Sequence, residues 1–538
     1  MPATAISPLD LAIVIGYFLF TLGLGAWLGR RRIDTGDGFF LASREASWPL
    51  VGASLFSANI SSQQFVGQAG LAYTIGLAAG AFQLVGAGCF LLLATFFVDV
   101  YLGLKLATAP EFFERRYGPG VRLFVAAINV VMILAANLTA ALYAGATVLT
   151  ALLGWNTPTL FLVAVVAIAI GAALCAVVGG LRSVMWFDLF QATVLVIGGT
   201  VTLFAGIARA GGLHPLLALR DHAGDPMWSV IQPWWHSFGW LPLVTGAVVL
   251  GVHGHCTDHD YVQRTLAARS LYDSKMGALF AAFLKVAALF IIAAPGVVAA
   301  RLLPGLAHPD QAYAEMVTRF VPHGLVGLVL AGLLAAILGS MASGLSASSS
   351  MLTYDFVLKA VPDMSERSRV ALGRVLMVVI LVVCAACAPL IGHFSGLFAY
   401  LVKLWSLLAP PVFVCVVAGI FTQRASNRGA IATLVVGVTL GAIAFFGLDS
   451  PAVTGDLPRY FQNTMNIGFV ITLVCAAVMV LFSGDGSGHP LARSAARRTE
   501  TMTPVQRRRY HATAASLVFV WLIVVAGLSP WALAVWSR

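Results

Sequence analysis

The chain is expected to be an all-α polytopic membrane protein of about fourteen transmembrane helices, on three observations. Of its 538 residues 59% are hydrophobic and 10% are charged, where a soluble domain carries roughly a quarter charged. The apolar residues come in runs of about 20, the length that crosses a hydrocarbon core of about 30 Å. The basic residues sit in the short connections between those runs, and alternate connections share them unequally. A net charge of +10 spread in this way sets topology; a nucleic-acid partner would need it gathered on one domain.

In order, the runs lie near 9–29, 47–73, 77–103, 120–152, 157–178, 185–209, 239–262, 274–302, 325–348, 370–392, 396–421, 428–446, 464–482 and 512–535. Assigning alternate connections to opposite sides puts Arg30, Arg31 and Arg32, Lys105, Arg115 and Arg116, Arg264 and Arg269, and Arg507, Arg508 and Arg509 on one face. The other face receives only Arg209, Arg220, Arg301, Arg319, Arg459 and Arg538, while Lys285 and Lys403 stay inside spans. By the positive-inside rule the first face is cytoplasmic and both termini of this multi-pass cell-membrane protein lie outside. One missed helix would reverse every later connection and erase the bias, so the charges also test the count. The start lacks the basic region and cleavage site of a signal peptide, so the first span is expected to be retained. No connection is long enough for a soluble domain. The 210–238 stretch, with Trp234 and Trp235, suits an interfacial lid, and the Arg-rich linker 483–511 suits a segment lying on anionic lipid.

Two runs are too polar for ordinary spans. The one at 47–73 holds Ser54, Ser57, Asn59, Ser61, Ser62, Gln63, Gln64 and Gln68 without a charge. Unpaired amides and hydroxyls are costly in hydrocarbon, so this segment should face a hydrated cavity with its backbone broken there; the alternative is a helix that grips its neighbours through Ser and Asn. Trp48, Pro49, Leu50, Val51 and Gly52 open it, and Trp240, Pro242, Leu243, Val244 and Gly246 open a second such run, which carries Gly251, His253, Gly254, His255, Thr257 and Asp258. Matching interrupted segments in two halves point to an inverted-repeat transporter with its site near the midplane. The expected organisation is a leading helix and loop (1–46), a first repeat (47–209), an outer loop (210–238), a second repeat (239–421) and three further helices (422–538).

The stretches SLFSANISSQQFVGQAGLAYTIGL, TAPEFFERRYG (108–118), GGLRSVMWFDLFQ (179–191), CTDHDYVQRTLAARS (256–270), GALFAAFLKV (277–286) and GLVLAGLLAAILGSMASGLSASSSMLTYDF (327–356) resemble, in this order, the sodium/solute symporter family and within it the sodium–glucose cotransporter branch. The resemblance implies a leucine-transporter-type 5+5 inverted repeat with one helix before it and three after, alternating access, Na+ as the coupling ion and no other cofactor or metal. It implies sodium ligands at the carbonyls of Ser57, Ile60 and Ala336 and at side-chain oxygens of the pair Gly339, Ser340. A hydroxyl residue is usual at the Gly339 position, so water, a shifted Ser343 or the Asp188 region would complete the shell; a weak sodium site or proton use is the alternative.

For the solute, the resemblance implies contacts at Gln64, Gln83 and Lys285, aromatic gates at Phe82 and Phe398, and an ion pair of Asp258 with Arg264 that shuts the inner end of the seventh span. Gln83 replaces an acid, Val402 a Gln and Lys403 an acid, and Gly251, Gly254 and His255 replace an amide, a Tyr and a Trp. His253, His255, His259 and Lys403 add possible donors. A sugar or polyol is the expected cargo, with an acidic sugar or other carboxylate as its rival. Asp188 could pair with Arg182. An intramembrane enzyme would need paired carboxylates, a metal cluster or a nucleophile with its base, which the spans lack. A channel or a sensor built on a transporter fold is the rival from another functional class. The expected partners are a small polar solute and the lipid bilayer, with no nucleic acid and no obligate protein. The charge asymmetry predicts that a cysteine placed at Ser487 resists an impermeant thiol reagent on intact cells and reacts after permeabilisation. Labelling from outside would reverse the topology.

Overall fold

The computed structural model describes residues 7–29, 36–60, 64–153, 155, 157–221, 224–236, 238–306, 309–393, 397–447, 460, 463–483 and 502–536. Ten helical segments among them, from Gln64–Gly103 to Pro504–Gly527, are long and apolar enough to cross a membrane, and Pro8–Tyr17 and Pro158–Ala173 are shorter apolar helices. The second and seventh expected spans are not in that set because each is interrupted. Helix Trp48–Asn59 stops at Ile60, whose backbone is extended (φ −89°, ψ 96°). Helix Gly246–Val252 widens into a π-helical turn at His253–Thr257 and stops at Asp258, also extended (φ −66°, ψ 129°).

Helical hydrogen bonding continues from Pro158 to Arg209, so no loop separates the runs expected at 157–178 and 185–209. Nor is that segment straight. Gly171 packs against Leu338, while Asp188 and Gln191 pack against the adjacent Gly339; on a straight helix residues 171 and 188 would lie about 25 Å apart. The chain therefore bends between Ala173 and Leu181. Both arms lie along the buried helix Leu325–Met351, the outgoing one through Gly198 on Val329 and Val194 on Gly332.

One face gathers the basic connections. Ala46 N–H donates to Ala267 O at 2.9 Å and Arg269 N–H to Ala46 O at 3.0 Å. Arg44 donates to Leu106 O (3.0 Å), Arg116 to Gly419 O (3.1 Å) and Thr422 O (3.0 Å), and Lys275 pairs with Asp99 at 2.7 Å. On the opposite face Leu77 N–H donates to Met227 O (2.6 Å) and Val230 N–H to Leu528 O (3.1 Å), and the buried Asp10 carboxylate accepts from Gly324 N (2.8 Å) and Gly327 N (2.7 Å). The start of the first helix and the end of the helix Pro504–Gly527 thus lie on one side, away from the basic loops. Gly76 has φ +77° and backs onto the Met227 backbone, with no room for a Cβ, and this seats the outer loop on the bundle. In that loop Trp234 and Trp235 meet edge to face at 5.7 Å and remain 40% and 55% exposed.

On the basic face Glu114 lies between Lys359 (2.5 Å) and Arg122. Partial burial opposes its charge, but the two cations hold the carboxyl below its ordinary range. A depressed folded-state pKa adds stability that is complete above the ordinary value near ~4.3 and is lost as pH falls through the lower folded value.

Helices Trp48–Asn59 and Leu271–Ala288 cross closely because both present glycine: a Cβ on Gly52 would stand 2.5 Å from Gly277 O, and one on Gly277 2.7 Å from Val51 Cβ. Gly52→Val should therefore cost about 1–3 kcal/mol by overpacking and lower the thermal unfolding midpoint in detergent. An unchanged midpoint would refute the close packing.

Candidate solute and ion site

A cavity lies between the two helix breaks. Asn59, Gln64 and Gln68 line it from the first interrupted span, and His253, His255 and Asp258 from the second, with Phe82, Asp260, Tyr261, Ser340 and Trp405 around them. One wall is a continuous hydrogen-bonded chain. Lys285, 1% exposed, donates to Asn59 Oδ1 and to Gln83 Oε1 (2.6 Å). Gln83 Nε2 donates to Gln64 Oε1 and Gln68 Oε1, both at 2.6 Å. Gln64 Nε2 returns to Asn59 O (2.8 Å) and Oδ1 (3.1 Å), and Asn59 Nδ2 reaches Tyr261 Oη (2.8 Å). The Lys285 ammonium orients every amide in the chain: Asn59 and Gln83 must turn their oxygens toward it and their nitrogens away.

His255 Nδ1 lies 2.8 Å from Gly251 O, which can only accept, so Nδ1 carries the proton and Nε2 is an acceptor. That Nε2 is buried without a protein partner. Other expected solute contacts lie elsewhere. His259 accepts from Ala109 N at 3.2 Å and faces Ser350 Oγ at 3.2 Å, tying two helices together near the basic face. The Lys403 ammonium stands 4.6 Å from the Phe445 ring centre and does not line the cavity. Phe398 lies in helix Leu397–Phe421, but its side chain falls outside the described residues.

Around the first break, the hydroxyls of Ser57 and Ser340 are buried and without a partner, Ile60 is at the break itself, and Ala336 is buried in the facing helix. Beside Gly339 stand Gln191 and Asp188, and both amide atoms of Gln191 and Asp188 Oδ1 lack partners. The sequence assigns Gln191 no role; its one signal there is an amide in an apolar span, three residues after Asp188.

The pairing expected for Arg264 is different. Arg264 is wholly buried; it pairs with Asp260 at 2.7 Å and Asp188 at 3.2 Å, and donates to Ser54 Oγ (2.8 Å), Ser54 O (3.1 Å) and Ser343 Oγ. Asp258 instead caps helix His259–Leu266, accepting from Asp260 N at 3.1 Å. As the N-cap, Asp258 lies off the helix face that Asp260 shares with Arg264 four residues on. Arg182 pairs with Glu45 (3.2 Å) rather than with Asp188, and Ser343 donates to Asp260 Oδ1 (2.5 Å).

The profile of the Sodium:solute symporter family matches residues 39–437. The chain is 31% identical to "Sodium/myo-inositol cotransporter 2" of Mus musculus over 88% of this chain and 77% of that one. It is 29% identical to "Sodium/glucose cotransporter" of Vibrio parahaemolyticus over 90% of this chain and 92% of that one. Among solved structures it is similar to the substrate-bound outward-open state of a Na+-coupled sialic acid symporter, with a TM-score of 0.75 at 20% identity, covering 88% of this chain and 97% of that one. This last likeness is one of fold, the leucine-transporter type. The relatives are transporters, not enzymes.

Removing the guanidinium should leave two buried carboxylates uncompensated. Arg264→Gln is expected to lower stability by about 3–5 kcal/mol, and Asp260→Asn added to it should restore part of the loss. Thermal unfolding of the purified variants measures both; a single variant as stable as the parent would rule out an organising role for Arg264.

Proposed function

The chain belongs to the sodium:solute symporter family, and on that premise we propose that it imports a neutral polyhydroxylated solute, a sugar or polyol, together with sodium by alternating access. The amide chain Gln64, Gln68, Gln83 and Asn59, polarised by Lys285, is the observation that carries this reading. A solute hydroxyl both donates and accepts, and so does a carboxamide. His255 Nε2 adds a lone acceptor that a hydroxyl can satisfy.

The acidic-solute alternative loses its main support in the geometry. Lys403 faces Phe445 instead of the cavity, Lys285 already donates to two amide oxygens, and Asp258 and Asp260 line the cavity where they would repel an anion. The names of the relatives favour a hexose or inositol for this chain as well. Sodium fits the first break, where freed carbonyls and the Ser57 and Ser340 hydroxyls offer oxygen ligands to a hard cation. The basic face is taken as cytoplasmic, with both termini outside. Ties across that face, through Arg264, Arg116 and Lys359, close the path from the cavity to the cytoplasm and must part for release.

Uptake into proteoliposomes under an inward sodium gradient tests the reading. Neutral hexoses and inositols should compete, sugar acids should not, and Lys403→Gln should leave uptake intact. Gln83→Leu should weaken apparent affinity about ten- to a hundredfold, since it strands the Lys285, Gln64 and Gln68 contacts. Competition by sugar acids alone would transfer the proposal to carboxylates, and equilibration without accumulation would make the protein a channel.

A further inference from the structure

Among the described residues, Gln191, Asp188, Ser340 and Ser57 carry buried polar atoms that lack a protein partner, the first two beside Gly339 and the third next to it in sequence. Gln191 is 0% exposed, and neither its Oε1 nor its Nε2 is hydrogen-bonded. Its Oε1 occupies the space a Cβ on residue 339 would take, and Asp188 Oδ1 is 3.3 Å from the same point. The Ser340 hydroxyl is next along the helix. The fourth, the Ser57 hydroxyl, is one turn beyond Ser54, which donates to Asp188 Oδ2 at 2.5 Å. Buried polar atoms are nearly always satisfied, and a cluster of unsatisfied oxygens in a membrane interior calls for a ligand that accepts several of them together.

We propose that Gln191 is a ligand of the transported cation, its amide oxygen taking the place of the side chain that Gly339 lacks, with Asp188 Oδ1 and the Ser340 hydroxyl beside it. The inference rests on the sodium-coupled reading above and assigns that site a donor from a different helix. The charge fits a monovalent ion. Asp188, Asp260 and Arg264 carry one net formal negative charge between them, and the other oxygens are neutral. A divalent ion would be left with an excess positive charge in a buried site. Gly339 is essential to the arrangement, because any larger residue there would drive the Gln191 amide out of its place. The Oδ2 atom of Asp188 is held by Arg264 and Ser54, so the carboxylate is aimed before the ion arrives.

The test uses the full-length protein and two readouts: the half-saturating sodium concentration of solute uptake in proteoliposomes, and the rise of the unfolding temperature with sodium in the absence of solute. Gln191→Ala should raise the half-saturating concentration at least about tenfold, as expected for losing one good ligand, and flatten the sodium-dependent rise. The double variant Gly339→Ser with Gln191→Ala puts a hydroxyl into the space the amide held and should recover most of the sodium response. Gly339→Ala with Gln191→Ala fills the space with a methyl group and should not. Should Gln191→Ala fail to fold, Gly339→Ala alone displaces the amide and should reproduce the loss. Wild-type sodium dependence after Gln191→Ala, or equal rescue by the serine and alanine doubles, overturns the assignment while leaving sodium coupling standing. A parent protein with no sodium response in either readout overturns both.

Discussion

The buried guanidinium of Arg264 is the constraint around which the bundle closes. Its donors reach Ser54 on the first interrupted helix, Asp188 on the segment Pro158–Arg209, Asp260 on its own helix and Ser343 on the helix Leu325–Met351. A planar five-donor group taken out of water must have nearly all of its hydrogen bonds made, and two carboxylates must offset its charge. Helices supplying only part of that set would leave a buried ion unsatisfied, so the four segments are held in one relative arrangement. The cavity adjoins this junction through Asp260, which lines the cavity and pairs with Arg264.

The same rule, that polar groups in a bilayer must find partners within the protein, shapes the cavity wall. Lys285 has no ion pair among the described residues; its charge is spread through Asn59 and Gln83 into Gln64 and Gln68. The wall is thus electrostatically directed without being anionic, which suits a neutral ligand rich in hydroxyls. At the ion region the rule is left unmet: the hydroxyls of Ser57 and Ser340, the Gln191 amide and Asp188 Oδ1 have no partner within the protein.

Gly339 shows how a local departure can be compensated at a distance. As a residue in a helix it only removes a hydroxyl. In the folded protein its missing side chain admits the amide of Gln191 from the neighbouring segment, and the helix packs closer as a result. The glycines at 52 and 277 do the same for another crossing, where backbone meets backbone.

The spans, the two interrupted segments and the one-sided gathering of basic loops are readable in the sequence, because hydrophobic length, local polarity and loop charge are properties of short stretches. The polar cluster Gln64, Gln83 and Lys285 is readable through family resemblance. Tertiary structure alone decides the directions: that Arg264 turns to Asp260 and Asp188 and not Asp258, that His259 and Lys403 leave the cavity, and that Gln191 meets Gly339. The physical reason is angular. Each residue along a helix turns the side chain by about 100°, so a break such as that at Asp258 resets the facing of everything after it, and which neighbour a polar group meets depends on how distant helices pack.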